Sequence, residues 1–577
     1  MSFRVSFADR QKSTRTSGVG GTADFVDFAD AGSLPLPPVE AAAEPPVDFG
    51  PVAATATTAL TQTTTATTGT RTVSATSTTT VSATYLPSWV ATLKTAAIKS
   101  DVTAAVADGT ITYAELVKVF SNVASALTSS KTTLSATQFA DLKTLVADLS
   151  VGVTTSSYLI AVANSLVNGS KANATWTGGA ATAVTLGNLA SGSSVTQVNQ
   201  LIGKWLLGTD LPSSKVSMSG VSTFSVSYST VSKPLFATSG PTMGSVNQGY
   251  LGDCYLLAGL AEVADQNSSL IKSMFVDNGN GTWGVRFYVN GTATWVTVNS
   301  ALANGGNVFN YGGSDIWASL AEKAYAQLQA SGVVTGNVYN YGNSWSTIGN
   351  GGAPEYALAQ ITGATQITDF SARNGVWTCN VYNSSMSRVS YATGISNASV
   401  LATLVARINA GDDVVLSSYT NAKDASGKTT LVAGHAMSVY GYNAATGLLQ
   451  IRNPWGTASG QTWATTFEVS LSTLLAAGDV ISVDNAKSGK TVTTATAALV
   501  SGTTSTLKAF TDAAETAFDT ASDTLASADD TTSATFDATA TLFAQSMAAM
   551  TGDDGTTANL VASLAAASAL QLVSPAA

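Results

Sequence analysis

A single histidine, His435, and two cysteines, Cys254 and Cys379, are the only imidazole and thiol groups in the 577-residue chain. One histidine excludes metal sites built from several imidazoles, and two cysteines exclude a disulfide scaffold or a cysteine-rich zinc module. Any reaction that pairs a thiol with an imidazole base must therefore combine His435 with one of these two cysteines.

The charge balance excludes one large class of partner. Lys and Arg number 26 against 36 Asp and Glu, which gives a net charge of −10. Nucleic-acid binding needs a basic surface that displaces counterions from phosphates, so we expect no nucleic-acid partner. The first residues lack the apolar stretch of a secretory signal, and no run of roughly 18 apolar residues predicts a transmembrane segment.

Composition divides the chain into four zones. Residues 1–85 are rich in Pro, Thr and Ser, offer little apolar surface to offset the entropy of ordering, and are predicted to be disordered. Residues 86–210 carry apolar residues at helical spacing and predict a small helical domain. Residues 211–490 contain most of the Trp and Tyr among strand-like runs and predict a globular domain, whereas residues 491–577 return to Ala, Thr and Asp.

The helical zone contains a turn that is similar to the second half of an EF-hand calcium loop. Asp108, Gly109 and Glu115 fit its later positions, but Ala104 and Val106 stand where early oxygen ligands belong. Because calcium takes about six or more oxygen ligands, we interpret the turn as a degenerate, structural helix-turn-helix. A working calcium site is the alternative.

The window around Cys254 predicts a reactive thiol at the start of a helix. Apolar residues follow it at helical spacing, at Leu256, Leu257, Leu260 and Val263. Asp253 is a candidate N-cap, and the free N–H groups of a first helical turn favour a thiolate with a lowered pKa. Gln248 carries an amide that can donate to an oxyanion, and Gly252 lets the backbone approach a bound chain. The alternative is a buried structural cysteine.

The window around His435 predicts a hairpin that orients the imidazole. Strand-like runs at 436–442 and 448–452 flank a turn, and the midpoint between His435 and Asn453 falls within it. We therefore expect the two side chains to lie roughly opposite each other, so that the amide oxygen fixes the tautomer of the ring. Trp455 would shield this bond from water. The alternatives are a core histidine, an Asx turn at Asn453 and a core tryptophan.

Five windows, in this order, resemble the calpain-type, papain-like cysteine peptidases. They are QGYLGDCYLLAGL at 248–260, IWASLAEKAYAQL at 316–328, GGAPEYALAQITG at 351–363, GHAMSV at 434–439 and IRNPWG at 451–456. The resemblance covers about 240–485. It implies an α+β fold of two subdomains, a helical half at about 240–363 and a strand-rich half at about 364–490, with the substrate cleft between them.

The resemblance also implies a role for each site residue. Cys254 would be the nucleophile, His435 the general base and acid, Asn453 the residue that orients the imidazole, and Gln248 an oxyanion donor. Cys379 lies in an alternating, strand-like run without a second histidine, and we interpret it as structural. The implied function is a cysteine endopeptidase that hydrolyses peptide bonds in protein substrates.

Two departures from the family pattern bear on cofactors. Tyr255 follows the cysteine where the family usually has Trp, which keeps an aromatic ring. Ser245 stands where an acidic residue is expected, and no full set of acidic ligands can be matched. We therefore expect no required cofactor, with calcium as an open possibility.

Two other functions stay open on the sequence alone. The same fold without activity would be a binding or adhesion module, and a Cys/His acyltransferase such as a transglutaminase would transfer acyl groups to amines. Thiol labelling tests the first and amine incorporation the second.

The C-terminal zone is similar to the secretion signals of bacterial type I export substrates. From residue 509 onwards it holds nine acidic residues and neither Lys nor Arg. This resemblance predicts a secreted or cell-surface bacterial protein that uses type I secretion machinery. The alternative is a disordered acidic tail on a cytoplasmic protein.

Overall fold

The computed structural model describes residues 86–304, 309–310, 313–333, 335–336 and 340–489, and the backbone of two strands nearer the N-terminus. These strands, β1 (Thr58–Thr68) and β2 (Arg71–Val81), pair antiparallel. The rest of the zone predicted to be disordered and the acidic zone 491–577 lie outside the described residues, so both interpretations stay predictions.

Between residues 86 and 210, all of which the structure describes, α-helices dominate as the apolar spacing predicts. They are α1 (Ala96–Ala105), α2 (Tyr113–Ser130), α3 (Ala136–Ala147), α4 (Ser157–Val167) and α5 (Val195–Ile202). Ser156 and Ser194 accept hydrogen bonds from the first turns of α4 and α5, which is the usual reason for a helix to begin after Ser or Thr. Two short strands, β3 (Thr175–Trp176) and β4 (Val184–Thr185), interrupt the zone.

The calcium-loop-like turn connects α1 to α2 and acts as a helix start. The carboxylate of Glu115 accepts from the backbone N–H and the hydroxyl of Thr112 at 2.9 and 2.7 Å. The Thr112 hydroxyl in turn accepts from the N–H of Glu115, which completes a capping box. The side chain that would close a calcium loop therefore caps α2, and the interpretation of the turn as a structural helix-turn-helix stays a prediction.

The following segment is mainly helical and encloses one buried core. Its helices are α6 (Cys254–Gln266), α7 (Ser268–Ser273), α8 (Trp317–Leu328), α9 (Trp345–Ile348) and α10 (Pro354–Thr362). Its strands are β5 (Lys215–Val216), β6 (Phe224–Ser225), β7 (Ser227–Thr230), β8 (Phe275–Asp277), β9 (Thr282–Val289), β10 (Thr292–Asn299) and β11 (Ala301–Asn304). Strand β9 pairs with β8 and β10, β5 with β6, and β7 with β11.

The last described segment forms an antiparallel sheet of eight strands in the order β14-β13-β12-β19-β15-β16-β17-β18. The strands are β12 (Gln366–Arg373), β13 (Val376–Asn383), β14 (Arg388–Ile395), β15 (Val414–Ser418), β16 (His435–Asn443), β17 (Leu448–Arg452), β18 (Thr466–Val469) and β19 (Val480–Asp484). Helices α11 (Asn397–Asn409) and α12 (Leu471–Ala477) accompany the sheet. The α+β fold with a helical and a strand-rich half is confirmed.

The two halves meet where α6 lies on β16. The hydroxyl of Ser438 donates to the carbonyl of Ala258 at 2.8 Å, and the amide of Gln266 donates to the carbonyl of Tyr440 at 3.1 Å. The helix that begins at the cysteine is thereby fixed along the strand that begins at the histidine.

The helical zone shares a buried interface with the β9–β10 hairpin. Trp295 of β10 packs into the helical core, with its ring centroid 5.4 Å from that of Tyr158. The Tyr158 hydroxyl lies 2.8 Å from Oγ1 of Thr297. The boundary predicted at residue 210 is therefore bridged by packing. Across the described residues, no helix combines the length and hydropathy that a bilayer crossing requires.

Candidate active site

Cys254 is the first residue of α6, as its sequence window predicts. Asp253 occupies the N-cap position, but its side chain makes no capping hydrogen bond and is 0% exposed. Cys254 as a whole is half-buried. The predicted position of the cysteine is confirmed, whereas the predicted capping role of Asp253 is wrong because its carboxyl group turns into the protein.

Burial of the sulfur acts against ionisation of the Cys254 thiol. Burial raises the pKa of Cys254 to about 11, the Asp253 carboxylate raises it further, and a hydrogen bond from the backbone of Ala436 acts in the opposite direction. The sequence-based expectation of a lowered pKa is therefore wrong for this resting arrangement. Desolvation outweighs the helix dipole, whose favourable effect is confined to the first turn.

His435 and Asn453 are in direct contact in the interior. Nε2 of His435 lies 2.9 Å from Oδ1 of Asn453, and the backbone N–H of Trp455 donates to the same oxygen at 3.0 Å. A backbone N–H can only donate, so this atom must be the amide oxygen, and Nε2 must carry a hydrogen. The neutral ring therefore keeps its lone pair on Nδ1, which is the nitrogen that can accept a proton.

The contact does not arise from the strand register that the sequence predicts. Ser438 pairs with Arg452, and a bulge between Val439 and Gly441 adds a residue to β16. His435 instead pairs with Ser418 of β15. Asn453 follows the end of β17 and reaches the imidazole from a turn. The predicted contact between the imidazole and the amide is present, although His435 and Asn453 are not cross-strand partners in the hairpin.

Trp455 covers the imidazole as predicted. Its ring centroid lies 4.7 Å from that of His435 with an interplanar angle of 33°, and Trp463 packs edge-on against it at 5.6 Å and 80°. Trp463 is buried, and its indole N–H donates to the carbonyl of Gly456 at 2.9 Å. Nothing in the sequence singles out Trp463, because its role depends on the turn after Asn453.

Gln248 is buried beside the thiol-bearing turn and is held by both halves. Its Nε2 donates to the carbonyl of Leu251 at 2.7 Å and lies 3.4 Å from Oδ1 of Asp253. Its backbone N–H donates to the carbonyl of Pro454 at 2.7 Å. One amide hydrogen is therefore engaged within the loop, and only the weakly held second hydrogen is suited to an oxyanion.

Gly252 contacts the chain's own glycine-rich segment. A Cβ at Gly252 would lie 2.4 Å from the carbonyl oxygen of Gly349, and the N–H of Gly351 donates to the Gly252 carbonyl at 3.0 Å. We predicted that a bound chain would approach Gly252 closely. In the structure, the protein's own segment at Gly349 and Gly351 makes this close approach. Cys379 is buried in β13, in agreement with a structural cysteine.

A thiol at a helix start, next to a strand that begins at an imidazole bonded to the amide oxygen of an Asn, is the arrangement of papain-like cysteine proteases. Within that class, residues 226–470 match the family described as calpain family cysteine protease. Together with the fold, this match shows that the chain contains a calpain-type peptidase domain.

Curated relatives agree with this family at modest identity. The chain is 28% identical to calpain clp-4 of Caenorhabditis elegans over 244 residues, and 26% identical to calpain-8 of Mus musculus over 240 residues. Each match covers 39% of this chain and 29% of the relative. A shorter match to the calpain-2 catalytic subunit of Gallus gallus is 35% identical over 107 residues, covering 17% of this chain and 15% of the relative. The chain thus spans less than a third of each of these relatives.

Proposed function

We propose that the protein is a cysteine endopeptidase that hydrolyses peptide bonds with Cys254 as nucleophile, His435 as base and acid, and Asn453 as the orienting residue. The observation that carries the proposal is the Nε2–Oδ1 bond of 2.9 Å, which leaves the basic lone pair on Nδ1. The backbone of Ala436, the next residue, bonds to the sulfur of Cys254. His435, which carries the imidazole, therefore directly precedes the residue whose backbone contacts the thiol.

The reaction would begin with transfer of the thiol proton to Nδ1 of His435 as the sulfur attacks the peptide carbonyl carbon. Because burial raises the pKa of the thiol to about 11, removal of its proton requires the imidazole as base. The imidazolium then gives this proton to the leaving amine as the C–N bond breaks. Water, deprotonated by the same imidazole, hydrolyses the thioester and restores the thiol.

The oxyanion of each tetrahedral intermediate would be bound by the backbone N–H of Cys254 and by Nε2 of Gln248. The first belongs to the opening turn of α6, where backbone N–H groups have no partner within the helix, and the second has the hydrogen that faces Asp253 at 3.4 Å. This bond is long enough to exchange for a charged acceptor. One such donor is worth about 2.7–4 kcal/mol of barrier.

The test compares casein cleavage by the full chain with that of Cys254→Ala, in the presence of calcium and of a chelator. We expect cleavage by the wild type in both solutions, its complete loss in Cys254→Ala, and unchanged cleavage in the matched Cys379→Ala. Undiminished cleavage by Cys254→Ala would refute the proposal. An inactive binding module would show neither cleavage nor pH-dependent iodoacetamide labelling, and a transglutaminase would incorporate amines into glutamine.

A further inference from the structure

The residues that lead to Gln248 form an extended stretch whose backbone is bonded on two sides. Val246 has φ −92° and ψ 112°, and both Val246 and Gln248 are buried. The carbonyl of Val246 accepts from Nη2 of Arg452 at 2.7 Å, and the N–H of Gln248 donates to the carbonyl of Pro454 at 2.7 Å. Both of these bonds lead to the strand-rich half. The other side of the stretch faces the helical half.

Asn310 binds this other side with both ends of its side-chain amide. Its Oδ1 accepts from the backbone N–H of Asn247 at 2.7 Å, and its Nδ2 donates to the carbonyl of Ser245 at 3.4 Å. A backbone N–H can only donate and a carbonyl can only accept, so the two contacts fix which end of the amide is the oxygen. Residues two apart on an extended chain face the same side, and Asn310 therefore binds the stretch as a short neighbouring strand would.

Asn310 is itself fixed by one face of α8. Its backbone N–H donates to the two carboxyl oxygens of Glu322 at 3.2 and 3.1 Å, and its carbonyl accepts from the hydroxyl of Ser319 at 3.0 Å. The same hydroxyl lies 3.2 Å from Nδ2 of Asn310. Ser319 and Glu322 are three residues apart and thus neighbours on the helix surface. Asn310 is 6% exposed, so water competes little for these bonds.

We propose that Asn310 is a positioning residue of the peptidase, which places the amide of Gln248 for the oxyanion by holding the backbone one residue before it. Asn310 acts through Gln248 and not on the substrate. The inference rests on the proposed function and adds to it a residue outside the sequence windows that resemble the family.

The placement of the backbone decides where the amide of Gln248 lies, because its side chain has little freedom of its own. Nε2 of Gln248 donates to the carbonyl of Leu251 at 2.7 Å, and only its second hydrogen is suited to an oxyanion. Hydrogen bonds weaken steeply with misalignment, so a shift of the backbone at Asn247 moves that hydrogen away from the developing charge. A misplacement of about 1 Å can cost about 100-fold in rate.

The experiment measures kcat and KM on a casein-derived peptide for the wild type, Asn310→Ala and Ser319→Ala. Asn310→Ala removes both side-chain bonds to the stretch, so kcat should fall about 100-fold with KM little changed. Ser319→Ala removes only a bond that holds Asn310, and this milder change should lower kcat about 2- to 10-fold. A wild-type kcat in Asn310→Ala would overturn the proposal, as would a wild-type kcat in Ser319→Ala if Asn310→Ala does not fold.

A double variant separates positioning from general support of the fold. In Gln248→Ala the donor is absent, so the addition of Asn310→Ala should lower kcat by less than about twofold. A residue that only stabilises the fold would lower kcat by the same factor with and without Gln248. An equal loss in both backgrounds would therefore overturn the proposal.

Asn173→Ala is the matched control for loss of a buried asparagine. Asn173 is 0% exposed and also uses both ends of its amide, since Nδ2 donates to the carbonyl of Ser165 at 2.9 Å and Oδ1 accepts from the indole N–H of Trp205 at 2.6 Å. Because these partners belong to the helical zone, Asn173→Ala should reduce the unfolding free energy and leave kcat unchanged. A kcat as low as that of Asn310→Ala would overturn the proposal.

Hydrogen exchange gives a readout that needs no substrate. In Asn310→Ala the amide hydrogens of Asn247 and Gln248 should exchange with solvent about 10-fold faster than in the wild type, because the stretch opens more easily. A wild type that cleaves no peptide would refute the proposed function, and the exchange rates would still decide whether Asn310 holds the stretch. Unchanged exchange at residues 245–248 would overturn that placement.

Discussion

The backbone N–H of Gln248 donates to the carbonyl of Pro454 at 2.7 Å, which joins the loop before the nucleophile to the turn that carries Asn453. A second bond runs in parallel, because Nη2 of Arg452 donates to the carbonyl of Val246 at 2.7 Å. These two bonds fix Gln248, the proposed oxyanion donor, relative to Asn453, the proposed orienting residue, although the two residues belong to different halves of the domain.

Asn453→Ala should reduce but not abolish cleavage. The imidazole would keep its stacking on Trp455 but lose the bond that keeps Nδ1 unprotonated and directed, so kcat should fall on the order of 100-fold with a smaller change in KM. Steady-state kinetics on a casein-derived peptide measure this. Asn443→Ala, in the turn-side end of the same hairpin, is the matched control and should leave kcat near the wild-type value. Equal losses in both variants would contradict an orienting role.

Gln248→Glu tests the oxyanion donor while keeping the size of the side chain. A carboxylate cannot donate to a developing negative charge, so kcat should fall about 100- to 1000-fold. Iodoacetamide labelling of Cys254 should persist, because the thiol is still present. Gln450→Ala, on the exposed side of the sheet, serves as control. A Gln248→Glu variant with normal kcat would remove this residue from the mechanism.

The local parts of the site were predictable from the sequence, and the long-range parts were not. The apolar spacing after Cys254 predicts the start of α6, and the strand signals around His435 predict β16 and β17. The bond between the backbone N–H of Gln248 and the carbonyl of Pro454 joins two loops that are distant in sequence, and no local pattern indicates it. The register of the hairpin was wrong because Asn443 pairs with Leu448, which centres the turn after residue 445 and not at the midpoint of His435 and Asn453. The bulge between Val439 and Gly441 shifts the pairing back by only one residue.

The pKa of the Cys254 thiol also depends on one feature that is local in sequence and on others that are long-range. A helix start is visible in the sequence, and its dipole alone favours a thiolate. Desolvation of the sulfur depends on how α6 packs against β16, and it raises the pKa of the thiol. The sign of the shift is therefore a tertiary property, whereas the identity of the reactive residue is a sequence property.

Deleting residues 515–577 tests the predicted export route. These residues lie outside the described part of the chain, so the prediction depends on their acidic, Lys- and Arg-free composition. In a bacterial host with type I secretion machinery, the full chain should reach the culture medium and the shortened chain should stay in the cells. Removal of residues 1–50 is the control and should not change export. Undiminished export of the shortened chain would eliminate the proposed signal.

Arg452→Met should weaken the contact between the two halves of the domain, because it removes the hydrogen bond to Val246. Arg452 is 4% exposed and burial lowers its pKa to about 10, yet its guanidinium donates to the carbonyl of Val246. Losing a hydrogen bond to a charged group costs about 1.5–3 kcal/mol of unfolding free energy, and kcat should fall because Gln248 follows Val246 in the same loop. Urea unfolding and steady-state kinetics measure the two effects. The exposed Arg388→Met should change the unfolding free energy by less than about 0.5 kcal/mol.

Gly252→Ala should damage the site through packing alone. The new Cβ would lie 2.4 Å from the carbonyl oxygen of Gly349, and a backbone oxygen cannot swing aside as a flexible side chain can. The two segments must separate, which should cost about 1–3 kcal/mol of unfolding free energy and displace the first turn of α6. Gly313→Ala is the matched control, since nothing lies within 4 Å of a Cβ built there. A Gly252→Ala variant as stable and as active as the control would show that the glycine segment does not support the thiol, because the same methyl group is added in both.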